Sequence, residues 1–124
     1  MKSLSAFVIL SLISLMVSAQ EPPSSPSIFL AELIIERTDA TIIKQVKDKS
    51  TWMIITHLPS NYTLDLVKND TKYIVNQYSD VKTLASWEYF EERKQYSKIL
   101  GIENYTLLIV YKIEKNELCY FCSF

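Results

Sequence analysis

Apolar and polar positions are most regular in the second half of the chain. At 105–113 (YTLLIVYKI), Tyr105, Leu107, Ile109, Tyr111 and Ile113 share one face of an extended strand, while Leu108 and Val110 make the other face partly apolar as well. Such a strand belongs in the middle of a sheet or along a cavity wall. Residues 118–124 follow across the polar turn 114–117 and close a hairpin. Residues 51–57 (TWMIITH) predict another strand, ended by Pro59, which cannot donate to a ladder. The runs 62–67 and 73–78, separated by Lys68, Asn69, Asp70, Thr71 and Lys72, predict a second hairpin.

Residues 28–46 are mixed. Phe29, Leu30, Leu33 and Ile34 suit a helical stripe, whereas Thr41, Ile42 and Ile43 favour a strand, and the segment is read as a short helix. The main helix is expected at about 81–100. Asp80 can cap its first turn, and Gly101 can end it in the left-handed conformation. Val81, Ala85, Tyr89, Tyr96, Ile99 and Leu100 then fall within an arc of roughly 100°, and Trp87 and Phe90 lie off that stripe as a possible second contact surface. The fold class that follows is β-rich α+β, an antiparallel sheet with one helix.

The N-terminal twenty residues have another character. Lys2 precedes an uncharged apolar run over residues 4–17, and Val17-Ser18-Ala19 has the small-x-small pattern of a signal-peptidase site. The run is shorter than the roughly 18–20 residues needed to span hydrocarbon, so it predicts a signal peptide over residues 1–19 and a secreted product without membrane insertion. Residues 20–27, rich in Pro and Ser, read as a flexible leader to a single globular domain over 28–124. Secretion gives meaning to three sequons, Asn61-Tyr62-Thr63, Asn69-Asp70-Thr71 and Asn104-Tyr105-Thr106, each placed beside an expected strand end.

Composition narrows the chemistry. The 124 residues carry a formal charge of −1, without the basic excess that nucleic-acid binding uses. With Gly101 the only glycine, no Gly-rich phosphate loop can form. No cofactor is expected. His57 is the sole imidazole, and with two cysteines it cannot complete a zinc site, so no metal and no catalytic residue are assigned. Glu88, Glu91, Glu92, Arg93, Lys94 and Lys98 read as the solvated face of the helix. Cys119 and Cys122, three apart in a strand, would lie roughly 10 Å from each other on opposite faces, so a bridge between them needs a local turn. In an oxidising compartment the expected order is a disulfide within the tail, then an intermolecular disulfide, then free thiols.

Eight tyrosines and two tryptophans suit a cavity wall or a protein interface equally. Residues 38–55, with Trp52 near the start of a strand, resemble the approach to the first strand in the lipocalins, in particular the glycosylated alpha-1-acid-glycoprotein-like branch, with Ser50 where that family has Gly. Residues 104–119, a sequon followed by a long strand, a polar turn and Cys119, are similar to that family's middle strands. A second placement sets residues 80–102 on the family's C-terminal helix. The resemblance implies a secreted carrier of small apolar molecules with Trp52 at the closed end of an incomplete barrel. Candidate ligand-binding residues are Trp52, Ile54, Tyr62, Tyr89, Tyr96 and Tyr111. The expected partner is therefore a small hydrophobic molecule or, alternatively, a protein met through Trp87, Phe90 and a strand edge in an inhibitor or immune modulator, without enzymatic activity.

Overall fold

The computed structural model describes residues 25–124. The expected signal peptide, and the leader as far as residue 24, lie outside that range. Helix α1 spans Pro26–Thr38, strands β1 Thr41–Asp48 and β2 Thr51–His57, helix α2 Leu64–Gln77, and strands β3 Val81–Phe90, β4 Gln95–Ile102, β5 Tyr105–Lys112 and β6 Glu117–Ser123. The strands form one open antiparallel sheet in the order β1-β2-β6-β5-β4-β3. A β-rich α+β fold is therefore present, with β5 inside the sheet as its two apolar faces require. Helix α2 carries the chain from β2, next to one edge of the sheet, to the opposite edge, where β3 begins.

Helix α1 starts inside the stretch read as leader. Ser25 is its N-cap, accepting a hydrogen bond from the Ile28 amide at 3.3 Å, and Pro26 stands in the first turn, where its missing N–H costs nothing. Ser25 and Ser27 are buried, and both donate hydroxyls to the Ser123 carbonyl, so the start of α1 is tied to the end of β6. Asp39, left-handed at φ 58°, stops the helix and turns the chain into β1. The segment 28–46 is thus half helix and half strand, the β-branched run at 41–43 lying in β1.

Two elements differ from expectation. Residues 62–78 form no hairpin: Thr63 Oγ1 accepts from the Leu66 amide at 3.3 Å and opens α2, which buries Val67, Thr71 and Ile74. Lys68 to Lys72, read as a turn, is continuous helix, with no Gly or Pro to break it. Residues 81–100 form no helix but the hairpin β3–β4, joined by a short 3₁₀ turn at Glu91–Arg93 and left-handed Lys94. The physical reason is the spacing. Positions 81, 85 and 89, and again 96 and 100, recur every four residues, which superposes them on a helix and, being an even number, also on one face of a strand. Gly101 is not a helix cap: it sits within β4 without a positive φ. The charged residues expected on one helix are accordingly divided among β3, the turn and β4.

The core lies between α1 and one face of the sheet. Leu30, Ala31 and Ile34 of α1, fully buried, meet Trp52 and Ile54 of β2, Leu107 and Ile109 of β5, and Leu118, Tyr120 and Cys122 of β6. Alternation along β6 puts Leu118, Tyr120 and Cys122 on this inner face and Cys119 and Phe121 on the outer one. The expected disulfide is therefore not formed. Both thiols are free and buried on opposite faces of one strand, and nothing at Tyr120 and Phe121 turns the chain to join them.

Candidate functional site

The six expected ligand-binding residues divide into three groups. Trp52 and Ile54 are core residues, 4% and 2% exposed, and the Trp52 indole N–H donates to Gln45 Oε1 on the neighbouring strand at 3.0 Å. Neither borders the two open depressions described below. Tyr62 stands before α2, and its hydroxyl donates to Asp70 Oδ2. Asp70 also receives Arg37 Nε at 3.1 Å, and the Arg37 guanidinium stacks 3.6 Å over the Tyr73 ring. This cluster locks α2 to α1 beside an open groove of about 540 Å³ lined by Leu33, Glu36, Arg37, Asp70 and Ile74. Burial, and then the neighbouring Asp70 carboxylate, push the Tyr62 pKa up to about 12.

The remaining three come together. Strand register places Tyr89, Tyr96 and Tyr111 in one inward-facing row across β3, β4 and β5. Tyr89 and Tyr96 rings lie 4.8 Å apart at 45°. Tyr111 is buried and donates its hydroxyl to Asn116 Oδ1 at 3.3 Å, while Tyr89 is 40% exposed. Helix α1 lies over β4, β5 and β6, so the Tyr89 end of the row escapes its cover. Two cations adjoin this row, Lys98, expected on a solvated helix face, and Lys68, expected in a polar turn. Lys98 follows Tyr96 on the same face of β4, opposite Ile109, where burial pushes its ammonium pKa down. Lys68 reaches from α2 to 5.8 Å from the Tyr96 ring centroid. Neither lysine takes part in an ion pair among the described residues. A half-buried lysine in an otherwise apolar inward row is the signal that identifies this place, and it becomes visible only once 95–102 is read as a strand.

Trp87 and Phe90, expected to form one patch, are separated. Trp87 packs against the inner core, and Phe90 borders an open depression of about 620 Å³ whose floor is Ile99, Leu108 and Val110. His57 is exposed at the end of β2. Among the described residues no three His, Cys, Asp or Glu side chains converge as metal ligands, and no helix is long and apolar enough to cross a membrane. The sequon asparagines are all exposed, but only Asn104 occupies a strand-to-strand turn; Asn61 precedes α2, and Asn69 lies within it. Comparison with protein-family models, with curated proteins and with solved structures gives no match.

Proposed function

We propose that this is a secreted, N-glycosylated, non-enzymatic protein that binds a small amphipathic acid, its apolar body against Tyr89 and Tyr96 and its anionic group at Lys98 and Lys68. The observation carrying this reading is the inward row Tyr89–Tyr96–Tyr111 with two unpaired cations beside it. Tyrosine rings supply apolar contact and their hydroxyls orient polar atoms. A desolvated ammonium attracts a carboxylate more strongly than a wet one does. The resemblance to lipocalins supports a carrier role, with the ligand lying on an open sheet and Trp52 serving the core. Export rests on residues 1–19 and on the three exposed sequon asparagines.

The alternative, a protein-binding module acting through Trp87, Phe90 and a strand edge, has less support. Trp87 faces inward, and the ladders of both edge strands slip register, at Ile42/Lys44 in β1 and twice between Thr83 and Glu88 in β3, which blunts pairing with another strand. The deciding experiment pairs acids and amines carrying the same hydrocarbon tail and follows melting temperature and Tyr and Trp fluorescence. Acids should stabilise the protein, amines should not, and Lys98→Met should weaken acid binding by about tenfold or more. Equal response to both head groups, or none to either, would sink the reading.

A further inference from the structure

The outer face of the sheet carries no helix, yet its centre is apolar. Register aligns Ile99, Leu108, Phe121, Met53 and Val46 in an unbroken row across β4, β5, β6, β2 and β1. The next row contributes the half-buried Ile55, with Val110 and Cys119 beside it already buried among their neighbours in the single chain. Polar rows flank these two: Gln95, Lys112, Glu117 and His57 on one side, Thr51, Ser123 and Asp48 on the other. An apolar centre with a polar rim is the anatomy of a protein interface rather than of a wetted sheet face.

We infer that two copies of this chain pair through this face, sheet against sheet, in a two-fold symmetric dimer. Three observations select a second copy as the occupant. Five strands about 4.8 Å apart and four rows of same-face residues cover on the order of 500 Å² per copy, so two copies bury about 1,000 Å², the size at which specific interfaces begin. The charges around the stripe balance, Lys44, Lys82 and Lys112 against Asp48, Glu88 and Glu117, so an identical face meets no net repulsion, and a strongly charged partner has nothing to recognise. A pleated apolar sheet face also fits its own likeness, because side chains of two such faces interdigitate when the sheets pack about 10 Å apart. None of the sequon asparagines falls in the stripe: Asn61 and Asn69 belong to the helical side, and Asn104 to a turn beyond the end of the strands. The inference is independent of the inner tyrosine row, which faces the other way.

Sedimentation equilibrium of the mature glycoprotein tests it. At micromolar concentration the protein should have twice the mass of one glycosylated chain, and Phe121→Asp should weaken dimerisation by about a hundredfold or more. Since Phe121→Asp risks misfolding, the half-buried pair Val46→Lys and Met53→Lys serves as the second variant, with circular dichroism and melting temperature as controls for folding. A monomeric wild type at all concentrations overturns the proposal. So does a dimer that survives Val46→Lys with Met53→Lys, or one that is lost instead on Ile43→Lys at the β1 edge.

Discussion

Leu84 lies across Gly101 on the neighbouring strand, so close that a Cβ on Gly101 would come within 2.9 Å of Leu84 Cδ1. Leu84 is 57% exposed, and the atom in the way is the free end of a flexible side chain. Because Gly101 has no positive φ, alanine is compatible with its backbone and also restricts the unfolded chain. Gly101→Ala should therefore change stability by no more than about 0.5 kcal/mol, read as a nearly unmoved urea midpoint. A helix cap at this position would instead lose about 1 kcal/mol or more.

Tyr120 is fully buried at the centre of β6, and its hydroxyl has no hydrogen-bond partner among the described residues. Thr38 lies on the adjoining helix, but its hydroxyl hydrogen is taken by the carbonyls of Ile34 at 2.9 Å and Ile35 at 3.1 Å, and no hydrogen bond of good geometry joins its oxygen to Tyr120. Tyr120→Phe removes a desolvated polar atom while keeping the ring. Stability should stay level or rise by up to about 1 kcal/mol, measured by chemical denaturation. A loss above that would show that the hydroxyl is satisfied in solution.

Burial pushes the Cys122 thiol from its ordinary 9.0 up to about 12, and burial also raises Cys119. A raised thiol pKa favours the protonated, folded form, so this contribution is complete below pH 9.0 and disappears as pH climbs toward about 12. Tyr62, raised from 10.0 to about 12, adds a loss of the same sign in the upper part of that window. Urea midpoints should be unaffected by these groups between pH 7 and 9 and fall above it. At pH 8 a thiol-reactive disulfide reagent should leave both cysteines untouched in the native protein and label two per chain in denaturant.

Asp70 joins Arg37 and Tyr62 across the helix pair. The Arg37 side chain is 41% exposed, which screens its charge, while that of Asp70 is only 14% exposed. A double-mutant cycle of Arg37→Ala with Asp70→Ala should give a coupling below about 1 kcal/mol. Asp70→Ala alone should cost more, about 1–2 kcal/mol, because it also leaves the Tyr62 hydroxyl without its acceptor. Thermal unfolding of the three variants separates these figures.

Strands β2, β5 and β6 could be read along the chain because their side-chain period is local and each is bounded by a turn or proline. The arrangement of Tyr105, Leu107, Ile109 and Tyr111 on one face follows from the same arithmetic. Local pattern could not distinguish the two readings of 81–100, since a four-residue recurrence suits a helix turn and two strand periods alike. The choice fell to pairing: β4 gains a partner on each side only when 95–102 is extended, between β3 and β5. For 62–78 tertiary contact acted in the opposite sense, α1 offering the apolar surface against which Val67, Thr71 and Ile74 pack as a helix. The candidate site depended on both outcomes. Three of its tyrosines were named from composition, but their row, the inward Lys98 and the burial of Trp52 and Ile54 arise from cross-strand register and the position of α1. Those relations join residues far apart in sequence, and no short stretch of the chain encodes them.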